Sequence, residues 1–146
     1  MLTNKGKYGL KAMVHLAGMP AGQPALVADI AAANAIPKKF LDAILGELRT
    51  AGFVHSKKGR GGGYVLARVP EQITLGQIVS AVDGPIMAGD FGQPHENGAC
   101  DHEGQCVLLA VWSEVGEHMR HHLDSFTLAD MVERARGGLV PLGPLD

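Results

Sequence analysis

The chain has only two cysteines among 146 residues, Cys100 and Cys106, too few for the disulfide framework of a small secreted domain. No segment approaches the about 18 continuous apolar residues that a membrane-spanning helix needs. Lys5, Lys7 and Lys11 imitate the start of a secretory signal, but Lys11 and His15 interrupt the apolar run and no convincing cleavage site follows. These absences lead to the expectation of a soluble, cytoplasmic protein with no membrane contact. In that compartment two neighbouring thiols favour metal, cluster or redox chemistry over a structural bridge. Catalytic signatures are missing too: there is no Ser/His/Asp or Cys/His order in a supporting motif, no dinucleotide fingerprint and no carboxylate pair in an evident pocket. An enzyme is not expected.

Charge is unevenly placed. The formal net charge is only -2, yet residues 1–68 carry ten Lys and Arg against three acids, and residues 69–146 carry three against twelve. A basic half of this kind suits a polyanion, and an acidic half suits another task, such as contact with a protein partner.

The basic half contains Ser56-Lys57-Lys58-Gly59-Arg60-Gly61-Gly62-Gly63-Tyr64-Val65-Leu66, a cationic glycine turn without an acid. With Phe53-Val54 before it and Tyr64-Val65-Leu66 after it, the stretch predicts a hairpin whose main chain can lie against a phosphate backbone. It lacks the spacing and the Lys-Ser/Thr ending of a nucleotide-binding loop, and it runs into a strand rather than a helix.

Helical periodicity precedes the hairpin. Over residues 5–19, Tyr8, Ala12, Leu16 and Met19 form one stripe while Lys7, Lys11 and His15 line the opposite face. A short helix over 26–33 follows, and then a helix over 37–50 with Phe40, Leu41, Ile44, Leu45 and Leu48 as its buried stripe and Gly52 as its stop. Three helices and a basic hairpin in this order predict a winged helix-turn-helix, with 37–50 as the reading helix. Its outward side holds Lys39, Ala43, Gly46 and Thr50, flanked by Lys38, Asp42 and Arg49. Gly46, costly inside a helix, suits either close approach to a groove or close packing on a neighbouring helix.

After the hairpin, Thr74-Leu75-Gly76-Gln77 is a capping-box signature for a helix reaching Val82. A polar loop over 84–105 holds Cys100, and Cys106 follows directly after it. Residues 107–123 predict a long helix with Leu108, Val111, Trp112, Val115, Met119, His122 and Leu123 as an apolar seam suited to a twin. Thr127-Leu128-Ala129-Asp130 opens a last helix. The fold class is therefore mainly α with a small β-hairpin wing: a winged helix-turn-helix domain plus a long dimerisation helix. His118, His121 and His122 with Glu114 have a spacing that could hold zinc, though a helix flank beside a dimer seam explains them equally well.

This order, with Tyr8-Gly9-Leu10-Lys11-Ala12-Met13, Gly59-Arg60-Gly61-Gly62-Gly63-Tyr64, Ile73-Thr74-Leu75-Gly76-Gln77-Ile78, the Cys100-to-Cys106 segment and Thr127-Leu128-Ala129-Asp130, resembles the iron–sulfur cluster regulator (IscR-like, Rrf-two) family of bacterial transcription factors. The resemblance implies a homodimer that crosses its long helices and sets two winged helices on a palindromic double-stranded DNA operator. It divides the chain into a winged helix-turn-helix domain over 1–70, a sensor loop with dimerisation helices over 71–136, and a flexible tail over 137–146. Carried over by position, it assigns DNA binding to Lys39, Phe40, Asp42, Arg49 and Lys58; the charge and glycine pattern of the helix and the turn adds Lys38, Lys57, Arg60 and Gly61.

It also implies a cluster in the 90–106 loop that senses redox state, nitric oxide or iron–sulfur status, with 2Fe–2S favoured over 4Fe–4S. Members that hold a cluster place three evenly spaced cysteines there, often with a histidine shortly after the last. Here the later two are Cys100 and Cys106, the first position holds Pro94, and the histidine position holds Leu109. Histidine can replace cysteine on one iron, so His95 and His102 complete the expected ligand set, with His15 of a partner chain as a further imidazole. The alternative is a cluster-free regulator of the same fold that uses Cys100 and Cys106 as a thiol switch, or a small effector or protein partner.

Overall fold

The structure is a computed structural model that describes residues 2–85 and 103–137, with side chains of the second stretch from Val107 onward. Residues 86–102, where most of the sensor loop is expected, and residues 138–146, expected as a tail, lie outside the described residues.

Helix α1 (Asn4–Ala17) starts at Thr3, whose hydroxyl accepts the Gly6 amide, and buries Ala12, Met13 and Leu16. Helix α2 (Val27–Asn34) buries Ile30 and Ala31 and ends on Ala35, which takes the left-handed conformation at φ 52°. That residue turns the chain through Ile36-Pro37 into α3 (Lys38–Thr50), whose buried set is Leu41, Ile44, Leu45 and Leu48. The i, i+3, i+4, i+7 spacing makes one complete face without Phe40. Phe40, expected in the buried stripe, is 58% exposed.

Strands β1 (Val54–Lys57) and β2 (Gly63–Leu66) form the expected antiparallel hairpin, in the register Val54↔Leu66 to Lys57↔Gly63. Its first strand runs further than expected, so Lys57 belongs to the ladder and not to the turn. Ala25 adds a third edge by exchanging two main-chain hydrogen bonds with Tyr64, at 3.0 and 2.8 Å. A two-stranded ribbon alone is marginal in water, and this bridge ties it to the segment entering α2.

A 3₁₀ turn at Pro70–Gln72, absent from the sequence reading, leads into α4 (Leu75–Asp83). The Thr74–Gln77 capping box is complete, with both reciprocal hydrogen bonds formed. Helix α5 (Glu103–Asp124) starts four residues before the predicted helix and α6 (Leu128–Arg136) follows, opened by a second capping box between Thr127 and Asp130. Leu75 donates to the Phe126 carbonyl and Leu128 to that of Ile73, which welds the start of α4 to the α5–α6 corner. One hydrophobic cluster extends from Ala12 through Leu41, Ile44, Leu48 and Ile78 to Leu128. None of the described helices is long and apolar enough to cross a membrane.

Helix α4 is held at both ends by a carboxylate seated on another helix terminus. At its C-terminal end, Asp83 accepts hydrogen bonds from the Thr3 amide (3.1 Å) and the Thr3 hydroxyl at the N-cap of α1. At its N-terminal end, Thr74 donates its hydroxyl to Asp124 of α5 at 2.8 Å. Neither α1 nor α4 carries an acid in its own first turn, so each receives from a neighbour the anion that a helix N-terminus favours. Both contacts require glycine: a Cβ on Gly6 would overlap the Asp83 carboxylate, and one on Gly76 the Asp124 carboxylate.

Gly46 is the opposite case, since a Cβ there meets nothing within 4 Å. Packing against a neighbouring helix therefore does not account for it. In urea unfolding, Gly76→Ala is expected to destabilise the protein by about 1–3 kcal/mol through the displaced carboxylate. Gly46→Ala is expected to stabilise it by about 1 kcal/mol.

Candidate nucleic-acid interface

Helix α3 presents Lys38, Lys39, Asp42, Ala43, Arg49 and Thr50 to solvent, with Gly46 half-buried between them. The supporting contacts lie on the other faces. Leu41, Ile44, Leu45 and Leu48 lock the helix onto α1, α2 and α4, and Lys5 of α1 reaches over to Glu47 at 2.6 Å. Both partners of that pair are more than two-fifths exposed, so it adds little to stability. Its effect is to neutralise one of the two acids of α3, leaving Asp42 as the carboxylate without an ion pair among the described residues. An acceptor at that place suits the amino groups of cytosine or adenine.

The wing carries the remaining cations. All residues from His55 to Gly61 are exposed, and Gly59 and Gly61 take φ values of +94° and +73°, which turn the chain back after Lys58. Lys57 donates to the Gly22 carbonyl at 3.2 Å and so tethers the hairpin to the 20–24 turn. Lys58 and Arg60 are exposed cations at the tip. Arg68, at the base of the hairpin, sits over the Phe53 ring at 5.1 Å from its centroid. The wing cations therefore divide by role: Lys57 and Arg68 fasten the hairpin, while Lys58 and Arg60 point outward.

Beside the reading helix runs an apolar groove of about 360 Å³ between α1 and α3, lined by Asn4, Lys5, Tyr8, Phe40, Ala43 and Ile44. Phe40 forms one wall. Leaving such a ring in water forgoes roughly 2 kcal/mol of burial. The periodicity contained the signal, because Leu41, Ile44, Leu45 and Leu48 already complete a buried face and Phe40 falls at its edge.

His15 is half-buried at the α1–α2 contact, where its Nδ1 accepts from the Asn34 side-chain amide at 3.2 Å while Asn34 also donates to the Ile30 carbonyl. It is thus engaged within its own fold, a contact sequence reasoning had no means to see. Of the other proposed ligands, His95, Cys100 and His102 lie outside the described residues, as does the side chain of Cys106. His118, His121 and His122 are exposed on α5, with His121 3.9 Å from Glu117 and His122 edge-on to Phe126. Among the described residues no group of three or more His, Cys, Asp and Glu side chains is placed to hold a metal. On the same helix Arg120 bridges Glu117 and Asp124, and its hydrogen bond and charge hold the Glu117 carboxyl below the usual range.

Among the described residues of α5 only Gly116 is buried. Val107, Leu108, Val111, Trp112, Val115 and Met119 are 36–65% exposed. A contiguous apolar row of this size marks an interaction surface.

The sequence profile of the Rrf2 family, described as an iron-dependent transcriptional regulator, matches residues 2–134. An rrf2-like HTH-type transcriptional regulator of Rhodobacter capsulatus is 36% identical over 140 residues, covering 90% of this chain and 92% of its own. Among solved structures, T. potens IscR superposes with a TM-score of 0.77 at 31% identity, covering 98% of this chain and 93% of its own. CymR, the global cysteine regulator of B. subtilis, superposes with a TM-score of 0.73 at 32% identity, covering 91% and 96%.

Three substitutions probe the interface. Lys58→Ala and Arg60→Ala are expected to weaken binding to many duplex sequences and to flatten the salt dependence by up to about 0.9 in log–log slope each. Lys39→Ala is expected to change which site is preferred. Salt titrations by fluorescence anisotropy measure the first effect and site selection from a random pool the second; equal operator affinity of all three variants would remove the wing-and-helix interface.

Proposed function

Because this chain belongs to the Rrf2 family of transcriptional regulators, we propose that it works as a homodimer reading a palindromic operator through α3 and the wing. The observation that carries the reading is the set of outward cations Lys38, Lys39, Arg49, Lys58 and Arg60 on two adjoining elements of a winged helix. Lys38, Arg49, Lys58 and Arg60, with the Gly61 main chain, hold phosphates and fix register, while Lys57, also expected at the DNA, serves by keeping the hairpin on Gly22. Lys39, Phe40 and Asp42 meet base edges near the start of the helix, where specificity arises. The apolar row of α5 supplies the twofold contact, and two half-sites one helical turn or a multiple apart follow from that symmetry. Residues 1–70 then bind DNA while residues 71–136 sense and dimerise, with the acidic half free to meet a protein partner.

The donor set of the 90–106 segment suits an iron–sulfur cluster: Cys100 and Cys106 give two thiolates, and His95 and His102 give imidazoles that can replace the missing third thiolate at Pro94. A 2Fe–2S cluster matches this mixed set better than 4Fe–4S, and when bound it supplies a centre sensitive to redox state and nitric oxide. The chain's own part is mechanical. A change in the segment ahead of α5 shifts that helix, and its hold on α4 through Asp124 and the Phe126 carbonyl passes the shift to the reading half. Separation of the two α3 helices then changes, and with it operator affinity. A second reading is favoured by the cysteine count itself: with two thiols where cluster-holding members place three, Cys100 and Cys106 would act as a reversible disulfide switch.

Two measurements check the proposal. Protein isolated without oxygen is expected to show visible charge-transfer bands with matched iron and acid-labile sulfide, lost in Cys100→Ala and Cys106→Ala. Colourless protein after attempted reconstitution assigns sensing to the thiol pair. Val115→Asp, within the α5 row, is expected to convert the dimer to a monomer in light scattering and to lower operator affinity at least tenfold; a dimer that persists would place the twofold contact elsewhere.

A further inference from the structure

We propose that the apolar groove between α1 and α3 receives the 5-methyl group of a thymine in the operator, and that Phe40 is the residue that selects it. The inference rests on the operator-reading role of α3 given above.

Phe40 lies in the first turn of α3 and, at 58%, is the most exposed of the Phe, Tyr and Trp side chains among the described residues. It contributes nothing to the core, which the Leu41, Ile44, Leu45 and Leu48 face completes. Ala43, one turn further along, is exposed on the same side, and the two form one edge of the groove whose floor is Tyr8 and Ile44. The groove is thus an apolar recess beside the end of the helix that meets base edges.

Thymine is the base that brings an apolar group to the major-groove edge, and phenylalanine and alanine are side chains that contact it. The surroundings favour a nucleic acid over an apolar protein segment. Lys38 and Lys39 immediately precede Phe40 and are exposed, so the ring stands beside cations suited to phosphates. Of the two carboxylates of α3, Glu47, which would repel those phosphates, is paired with Lys5, and Asp42 is the acceptor assigned above to base edges. Charge complementarity and apolar shape therefore coincide at one end of α3.

The test removes the methyl from the DNA. An operator is selected from a random duplex pool with the full-length protein, and each thymine is replaced in turn by deoxyuridine, which lacks only that methyl. Affinities are measured for the unmodified protein, Phe40→Ala and Phe40→Leu. At one thymine of each half-site, uracil is expected to weaken binding about fourfold, the effect of burying one methyl group. Phe40→Ala is expected to bind both duplexes equally, and Phe40→Leu to keep part of the discrimination. Specific binding indifferent to uracil at every position, or discrimination that survives Phe40→Ala, overturns the assignment of the groove; in the second case, a monomeric Phe40→Ala protein would give the groove to a second copy of the chain. Failure to select any site would instead overturn operator reading as such.

Discussion

The seating of Asp83 and Asp124 on two helix N-termini is the constraint on which the arrangement of the molecule depends. Helix α4 lies between α1 and α3 on one side and α5 on the other, and each of its ends is fastened by a carboxylate over a glycine. The attraction is modest per site, since a charge at a helix end is typically worth a few tenths to about 1 kcal/mol. Its value is directional. Asp83 sets where the start of α1 lies, and Asp124 sets where the end of α5 lies, so the two halves cannot rotate independently about α4 without breaking a hydrogen-bonded contact.

Much of the fold was legible in the residues. The Leu41, Ile44, Leu45 and Leu48 spacing announced the reading helix, Thr74 and Gln77 its capped neighbour, and the glycine run the wing. These signals are local, and local physics decided them. What escaped the sequence was relational. Nothing in the spacing of Lys57 says that its ammonium reaches the Gly22 carbonyl, or that Ala25 pairs with Tyr64, because both contacts join segments far apart along the chain. Asp83 and Gly6 likewise look like unrelated residues until α1 and α4 pack. Phe40 was misplaced for a subtler reason: an apolar residue at the margin of a helical stripe can fall on either side of the waterline, and only the neighbouring helix decides.

The candidate site shows the same division. The cationic residues of α3 and the hairpin were identifiable by type and density, but their separation into fastening and outward-facing cations required contacts. Helix α5 was identifiable by its apolar seam, and the structure adds that Leu108, Val111, Trp112, Val115 and Met119 of that seam are 36–48% exposed. The row from Val107 to Met119 spans about 18 Å of a helix about 33 Å long.

The tethering of the hairpin has an entropic consequence. A free glycine-rich loop would lose conformational freedom on meeting a polyanion, at about 1–2 kcal/mol for each backbone residue fixed. With Tyr64 bridged to Ala25 and Lys57 held on Gly22, the base of the wing is already ordered, and only the tip around Lys58 and Arg60 has freedom left to lose. On the proposed role of the wing, association with DNA would resemble the docking of a preformed part more than folding upon contact, with a correspondingly small heat-capacity change.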